Sequence, residues 1–291
     1  MDYKNLGETF KLFRMNHNLS LKQIADENLS ASQISRFERG ETELTAAKLF
    51  TALDRMHVEV GEFMDEVRGH QRTETIRFMS RLTELEYRRD ADGFRKLAAE
   101  QRALFQENPS VEQYHLNEIL AYGFVCKCDR AEQFPKEYLD EIYDYLFCVD
   151  EWKIYELILI GNLYLFMDIQ KLHLMGQEII NRYATRGATR SISKITLLNI
   201  FETCVMRKEL QTAAYYDEQI PKLLEDETLL YERNLYHFLH GAYLYLCADI
   251  KNGMAIMKQA IQIYEWLGCE NLTQNAREDY HRVVQTQSDE T

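Results

Sequence analysis

The chain has 291 residues, 46% of them hydrophobic, with 3 prolines and 12 glycines. That length and composition give core material for two largely helical domains, and no alternating β-branched stretch is long enough to make a strand. Its 34 Lys and Arg stand against 47 Asp and Glu, a net charge of −13, which argues against coating nucleic acid by bulk charge. The amino terminus lacks the charged-then-apolar pattern of a signal peptide. The most apolar run, Leu157 to Met167, is too short for a membrane span and carries Asn162 in its middle. A cytoplasmic chain with no membrane partner is expected. The six cysteines are scattered without a Cys-x-x-Cys pair or a second ligand cluster, so they read as buried free thiols rather than bridges or zinc ligands.

In chain order, the first predicted element is an amphipathic helix with Leu6, Phe10 and Phe13 inward. Ser20 and Gln23 then form a capping box that opens a short helix, and Ser30 and Gln33 repeat the device ten residues on. The helix after Ser30 turns Ile34 and Phe37 toward a core and leaves Ala31, Ser32, Ser35 and Arg36 outward, and Gly40 stops it. Thr45 caps a fourth helix holding Leu49, Leu53 and Met56, and a segment with Val60 and Phe63 makes a fifth. Two short capped helices, the second with small and polar outward residues, are the pattern of a DNA-reading helix-turn-helix. Residues 1–65 are therefore expected to be a five-helix, repressor-like DNA-binding domain.

Each outward side chain has a chemical task in that reading. Arg36 can hold guanine in a bidentate fork, Ser32 and Ser35 can bond base edges or phosphates, and Ala31 is small enough to meet a thymine methyl. Gln33 can read adenine or serve the cap, and both roles stay open. Arg39, Thr42 and Thr45 lie around the following turn as phosphate contacts, and Lys22 flanks the reading helix with Lys48. Residues 1–65 hold 8 Lys and Arg against 11 Asp and Glu. A head of net charge −3 binds DNA weakly alone, which makes a homodimer on a pseudo-palindromic double-stranded operator close to a requirement.

Residues 66–72 read as a linker running into a helix, and residues 73–291 as a helical repeat domain for ligand binding and dimerisation. Gly123, Gly161 and Gly241 each interrupt an apolar helical pattern, and Ile200-Phe201 lies midway between the last two. The period of about forty residues suggests a degenerate tetratricopeptide-like solenoid of paired helices. Its first helices would line a concave face with Tyr155, Asn162, Phe166, Asn199, Glu202, Phe238 and Tyr245. Carboxamides there suit the backbone of a short hydrophobic peptide, and apolar walls suit its side chains. His237 and His240, three apart, could titrate near neutral pH or be half of a metal site; a regulator that senses a non-peptide signal such as pH or a small molecule, and a plain protein-interaction scaffold, are the alternatives. The sequence has no glycine-rich phosphate loop, metal-ligand cluster or nucleophile elbow, so neither an enzyme nor a cofactor or metal site is expected.

With its run Gln33-Ile34-Ser35-Arg36-Phe37-Glu38-Arg39-Gly40, its length and its helical body, the chain resembles the Rgg family of transcriptional regulators of Gram-positive bacteria. The resemblance implies an all-α protein that binds operators as a homodimer and receives an imported peptide pheromone in its repeats, as in quorum sensing. RNA polymerase is then a candidate partner at the promoter. In the repressor-like fold the position of Glu38 faces Arg14, so an internal ion pair is expected there. The body has no sharp motif, so peptide contacts do not transfer residue by residue.

Overall fold

The computed structural model describes residues 6–69, 74–129, 131–184 and 187–288, which form sixteen α-helices and no strand among the described residues. The chain divides into two compact units, Met1–Glu84 and Leu85–Thr291. Of the expected linker, Glu66 and Val67 close a helix and residues 70–72 lie outside the described residues; the division falls within a later helix.

The first unit holds α1 (Leu6–Asn16), α2 (Leu21–Ile24), α3 (Ala31–Glu38), α4 (Ala46–Arg55), α5 (Val60–Val67) and most of α6 (Glu74–Arg88). Its core gathers Phe10, Ile24, Ile34, Phe37, Leu53, Met56 and Phe63. Both capping boxes form: Gln23 Oε1 accepts from the Ser20 N–H at 2.8 Å, and Gln33 Oε1 from the Ser30 N–H at 3.0 Å. These bonds satisfy orphan donors at the starts of α2 and α3 and fix where each helix begins. Gly7 lets α1 lie against the end of α3, because a Cβ there would stand 2.0 Å from the Phe37 carbonyl oxygen.

The second unit runs α7 (Ala91–Glu107), α8 (Glu112–Cys128), α9 (Lys136–Cys148), α10 (Ile154–Leu163), α11 (Ile169–Glu178), α12 (Arg190–Met206), α13 (Leu210–Leu223), α14 (Leu230–Leu246), α15 (Ile250–Trp266) and α16 (Glu270–Ser288). Helices α8, α10, α12 and α14 pack in succession. The repeat is written in their hydrogen bonds. Tyr155 donates to Asn117, Asn199 to the Gly161 carbonyl, Thr196 to the Leu157 carbonyl and Arg207 to the Met167 carbonyl, reaching back 38, 38, 39 and 40 residues. Gly123 faces Leu163, Gly161 faces Thr196, and Gly241 meets the backbone of α15 at Gly253, so each glycine marks a close helix approach. The last helix, α16, packs on α14 and α15, and the Tyr245 hydroxyl donates to the Val284 carbonyl at 3.5 Å. Among the described residues no helix is long and apolar enough to cross a membrane.

Candidate functional site

On the first unit, α3 presents Ser32 and Arg36 exposed and Ala31, Gln33 and Ser35 half-buried. Arg36 makes no side-chain hydrogen bond or ion pair among the described residues. Its neighbours are more committed. The Gln33 oxygen serves the cap. Arg39 donates to Glu41 at 2.5 Å and to the Ser35 hydroxyl at 2.6 Å, and this pairing holds the Glu41 carboxyl below its usual range. Thr45 Oγ1 accepts from the Lys48 N–H at 3.4 Å as the cap of α4, while Thr42 and Lys22 are exposed.

Behind this face Arg14 of α1 grips Glu38 at the end of α3 in a fork, Nε to Oε1 at 2.6 Å and Nη2 to Oε2 at 2.9 Å. Its remaining nitrogen donates to the Leu19 carbonyl at 2.8 Å. The side chains are 13% and 6% exposed, so the pair is shielded from solvent and ties α1, the turn before α2 and α3 into one frame. The carboxylate raises the Arg14 pKa further, chiefly through the hydrogen bond.

On the second unit, half-buried residues recur every three or four positions along two adjacent helices: Tyr155, Ile158 and Asn162 on α10, then Ile192, Ile195, Asn199, Glu202 and Met206 on α12. The residues between them are mostly buried, so this stripe is the face that the stacked helices leave open. The donor end of each carboxamide is in use, Asn162 on the Ile158 carbonyl and Asn199 on the Gly161 carbonyl, both at 2.9 Å. Phe166 stacks on Phe134 with ring centroids 4.4 Å apart.

Two expected walls are elsewhere. Phe238 and Tyr245 are buried where α14 packs against α12, α15 and α16, with the Tyr245 hydroxyl on the Val284 carbonyl of α16.

Other side chains enter this face that the sequence reading did not single out. Lys127, in the last turn of α8, holds its Nζ 4.5 Å from the Phe124 ring centroid and 5.4 Å from that of Tyr164. The Tyr164 hydroxyl donates to Glu202 Oε2 at 3.2 Å. Burial and then the nearby Asp279 push the Glu202 carboxyl up to about 7, against the pull of Tyr164, Arg282 and Lys127. Burial pulls the Lys127 ammonium down to about 8, while Glu86 and Glu202 oppose that shift. Lys127 had a signal in the sequence: Asn117, Leu120, Phe124 and Lys127 continue one helical stripe. Asp279 had none, because only the return of α16 brings it near.

The two histidines turn to separate partners, His240 Nδ1 to Asp217 at 2.7 Å and His237 Nε2 to Gln259 at 3.3 Å. The six cysteines are free as expected, but only Cys204 is buried and Cys148 and Cys247 are exposed; burial raises the thiol pKa of Cys126, Cys128 and Cys204.

Residues 99–278 match the family model of the C-terminal domain of HTH-type transcriptional regulator Rgg. The SHP pheromone receptor Rgg2 of Streptococcus dysgalactiae is 26% identical, with a TM-score of 0.79 over 95% of this chain and 99% of that one. A Listeria monocytogenes EGD-e protein shares 18% identity and a TM-score of 0.82 over 99% of each chain. The structure of a bacterial peptide pheromone/receptor complex aligns at 15% identity and a TM-score of 0.73, over 96% of this chain and 98% of that one. The latter two likenesses are likenesses of fold.

Proposed function

The chain belongs to the Rgg family of HTH-type transcriptional regulators, and on that premise we propose that it is a cytoplasmic homodimer switched by a short hydrophobic peptide. In this reading α3 enters the major groove of double-stranded DNA, and the open stripe on α10 and α12 holds the peptide. The observation that carries it is that stripe. Tyr155, Ile158, Ile192, Ile195 and Met206 stay half-exposed in a unit whose other large apolar residues are mostly buried, and Asn162, Asn199 and Glu202 are set among them. An apolar groove with a few placed polar groups is how proteins hold a ligand by its shape and backbone together. Rgg2 of Streptococcus dysgalactiae is described as a pheromone receptor, and its likeness over nearly the whole chain supports the same role here. Peptide binding would bias two arrangements of the repeats unequally and so reset the spacing of the paired heads.

Two experiments test this reading. Selection of bound duplexes from a random pool should enrich pseudo-palindromic sites, and Arg36→Ala should weaken binding to the enriched site by about 1–3 kcal/mol with relaxed selectivity. Unchanged affinity and selectivity would remove Arg36 from base reading. Calorimetry of the full chain against synthetic eight-residue peptides rich in Leu, Ile, Val and Phe should find micromolar or tighter binders, and Ile195→Glu should abolish their binding while the chain still melts cooperatively. A pool in which nothing binds would return the repeat unit to an interaction scaffold.

A further inference from the structure

Five elements far apart in sequence bring ionisable side chains to one place in the repeat unit. Glu86 lies in the last turn of α6, Lys127 near the end of α8, Tyr164 follows α10, Glu202 is on α12 and Asp279 on α16. Lys127 feels both Glu86 and Glu202, from helices on either side of it in the chain, and Tyr164 feels Glu202, Asp279 and Glu86. The Lys127 ammonium lies 5.4 Å from the Tyr164 ring centroid and the Tyr164 hydroxyl donates to Glu202, so α8, the turn after α10 and α12 meet at this place.

The charges there do not cancel by contact. Glu202 is held by the Tyr164 hydroxyl and Asp279 lies 3.4 Å from Arg282, whereas the Lys127 ammonium makes no ion pair or hydrogen bond among the described residues. Two aromatic rings hold it in place without neutralising it. A half-buried cation with no ion-pair partner among the described residues carries a desolvation penalty, and an incoming carboxylate would relieve it.

Resting on the peptide reading above, we propose that Lys127 is the anion anchor of the groove, so that the peptide this protein answers carries a single carboxylate that docks on Lys127 between Phe124 and Tyr164. The limit to one follows from the surroundings. Glu86 and Asp279 repel a second acid, and Glu202, its carboxyl raised toward neutrality by burial, leaves Lys127 incompletely compensated. A peptide C-terminus and an Asp or Glu side chain offer the same chemistry to the ammonium, and the choice between them is left to the experiment.

The test uses the full chain and the apolar eight-residue peptides, each N-acetylated and made in four forms: free acid, C-terminal amide, amide with one interior Asp, and amide with Asn in its place. For peptides that bind, a form with one carboxylate should bind roughly ten- to hundredfold tighter than its neutral twin. Preference for the free acid assigns the anchored group to the C-terminus; preference for Asp over Asn assigns it to a side chain. Lys127→Met should erase the preference and keep the neutral twins bound, and Lys127→Arg should retain it. Neutral twins that bind wild type as tightly as the carboxylate forms overturn this anchor while leaving the peptide reading intact. A Lys127→Met chain that keeps the preference, or that also loses the neutral peptides, overturns it as well. Failure of every form to bind overturns the peptide reading and the anchor together.

Discussion

Glu38, buried, and Glu202, half-buried, are carboxylates whose surroundings give them opposite properties. Glu38 meets a guanidinium in a fork, with the pair shielded from water. Removing one partner strands the other charge, so Glu38→Ala should destabilise the first unit by about 3 kcal/mol, whereas Arg14→Met with Glu38→Leu should recover most of that loss. Hydrogen exchange in α1 and α3 reads this directly, and unchanged protection in Glu38→Ala would show that apolar packing alone holds α3. Glu202 has a hydroxyl and another acid nearby instead, and its pKa rises from 4.5 to about 7. Between those values the folded chain keeps a proton that the unfolded chain has released, so this group makes stability fall as pH rises through that window. Glu202→Gln removes the effect. The variant should be more stable than wild type at pH 8, with the advantage shrinking toward pH 5, and a gap in denaturation free energy that stays constant with pH would contradict the assignment.

At the scale of elements, glycine placement decides how closely helices approach. Added to Gly253, a Cβ would stand 2.6 Å from the Gly241 oxygen and 2.6 Å from the Tyr245 nitrogen, so α14 and α15 touch backbone to backbone. Gly61 in α5 has nothing within 4 Å of the same position. Alanine favours a helix over glycine by up to about 1 kcal/mol. Gly61→Ala should therefore stabilise slightly, while Gly253→Ala should destabilise by about 2 kcal/mol or more because backbone cannot give way. Thermal melts of the two variants check this, and a neutral Gly253→Ala would mean that the helices can slide apart freely. Much of this layer was legible beforehand. The capping residues Ser20, Gln23, Ser30 and Gln33 announce their helices through local chemistry, and Gly123, Gly161 and Gly241 announce the repeat through their spacing. Gly253 carried no such signal, since its partner lies across a turn whose packing is tertiary. The course of α16 was not legible either: nothing in the local pattern says that it returns onto α14 and α15, where the Tyr245 hydroxyl meets the Val284 carbonyl. The half-buried positions of Asn162, Asn199 and Glu202 on α10 and α12 follow from periodicity, whereas the approach of Asp279 is hidden until α16 folds back.

For the whole molecule the governing quantity is charge against contact area. The chain is −13 overall, and the head residues 1–65 contribute −3 of this, which leaves −10 for the rest. Arg39 is already paired with Glu41, so one head offers DNA little unneutralised positive charge beyond Arg36, Lys22 and Lys48. On the homodimer proposed above, two heads on one site would supply the specific affinity at working salt that one head lacks. The repeat unit carries a surface suited to join them. Leu230, Trp266 and Leu267 are 69%, 78% and 65% exposed around a hollow of about 910 Å³, and the Asn234 Oδ1 at its wall is buried with no hydrogen-bond partner among the described residues. Apolar exposure concentrated this way is a liability for a monomer and an ordinary core for a two-fold interface. Light scattering should give twice the chain mass of 34.5 kDa for wild type at micromolar concentration. Trp266→Glu combined with Leu267→Glu should halve it, and should weaken operator binding with a shallower salt dependence, since half the phosphate contacts are lost. Peptide affinity should be unchanged, because the substituted side chains lie outside the α10–α12 stripe. A wild-type chain that stays monomeric with and without DNA would end the two-headed reading, and a double variant that stays dimeric would move the interface to another face of the repeats.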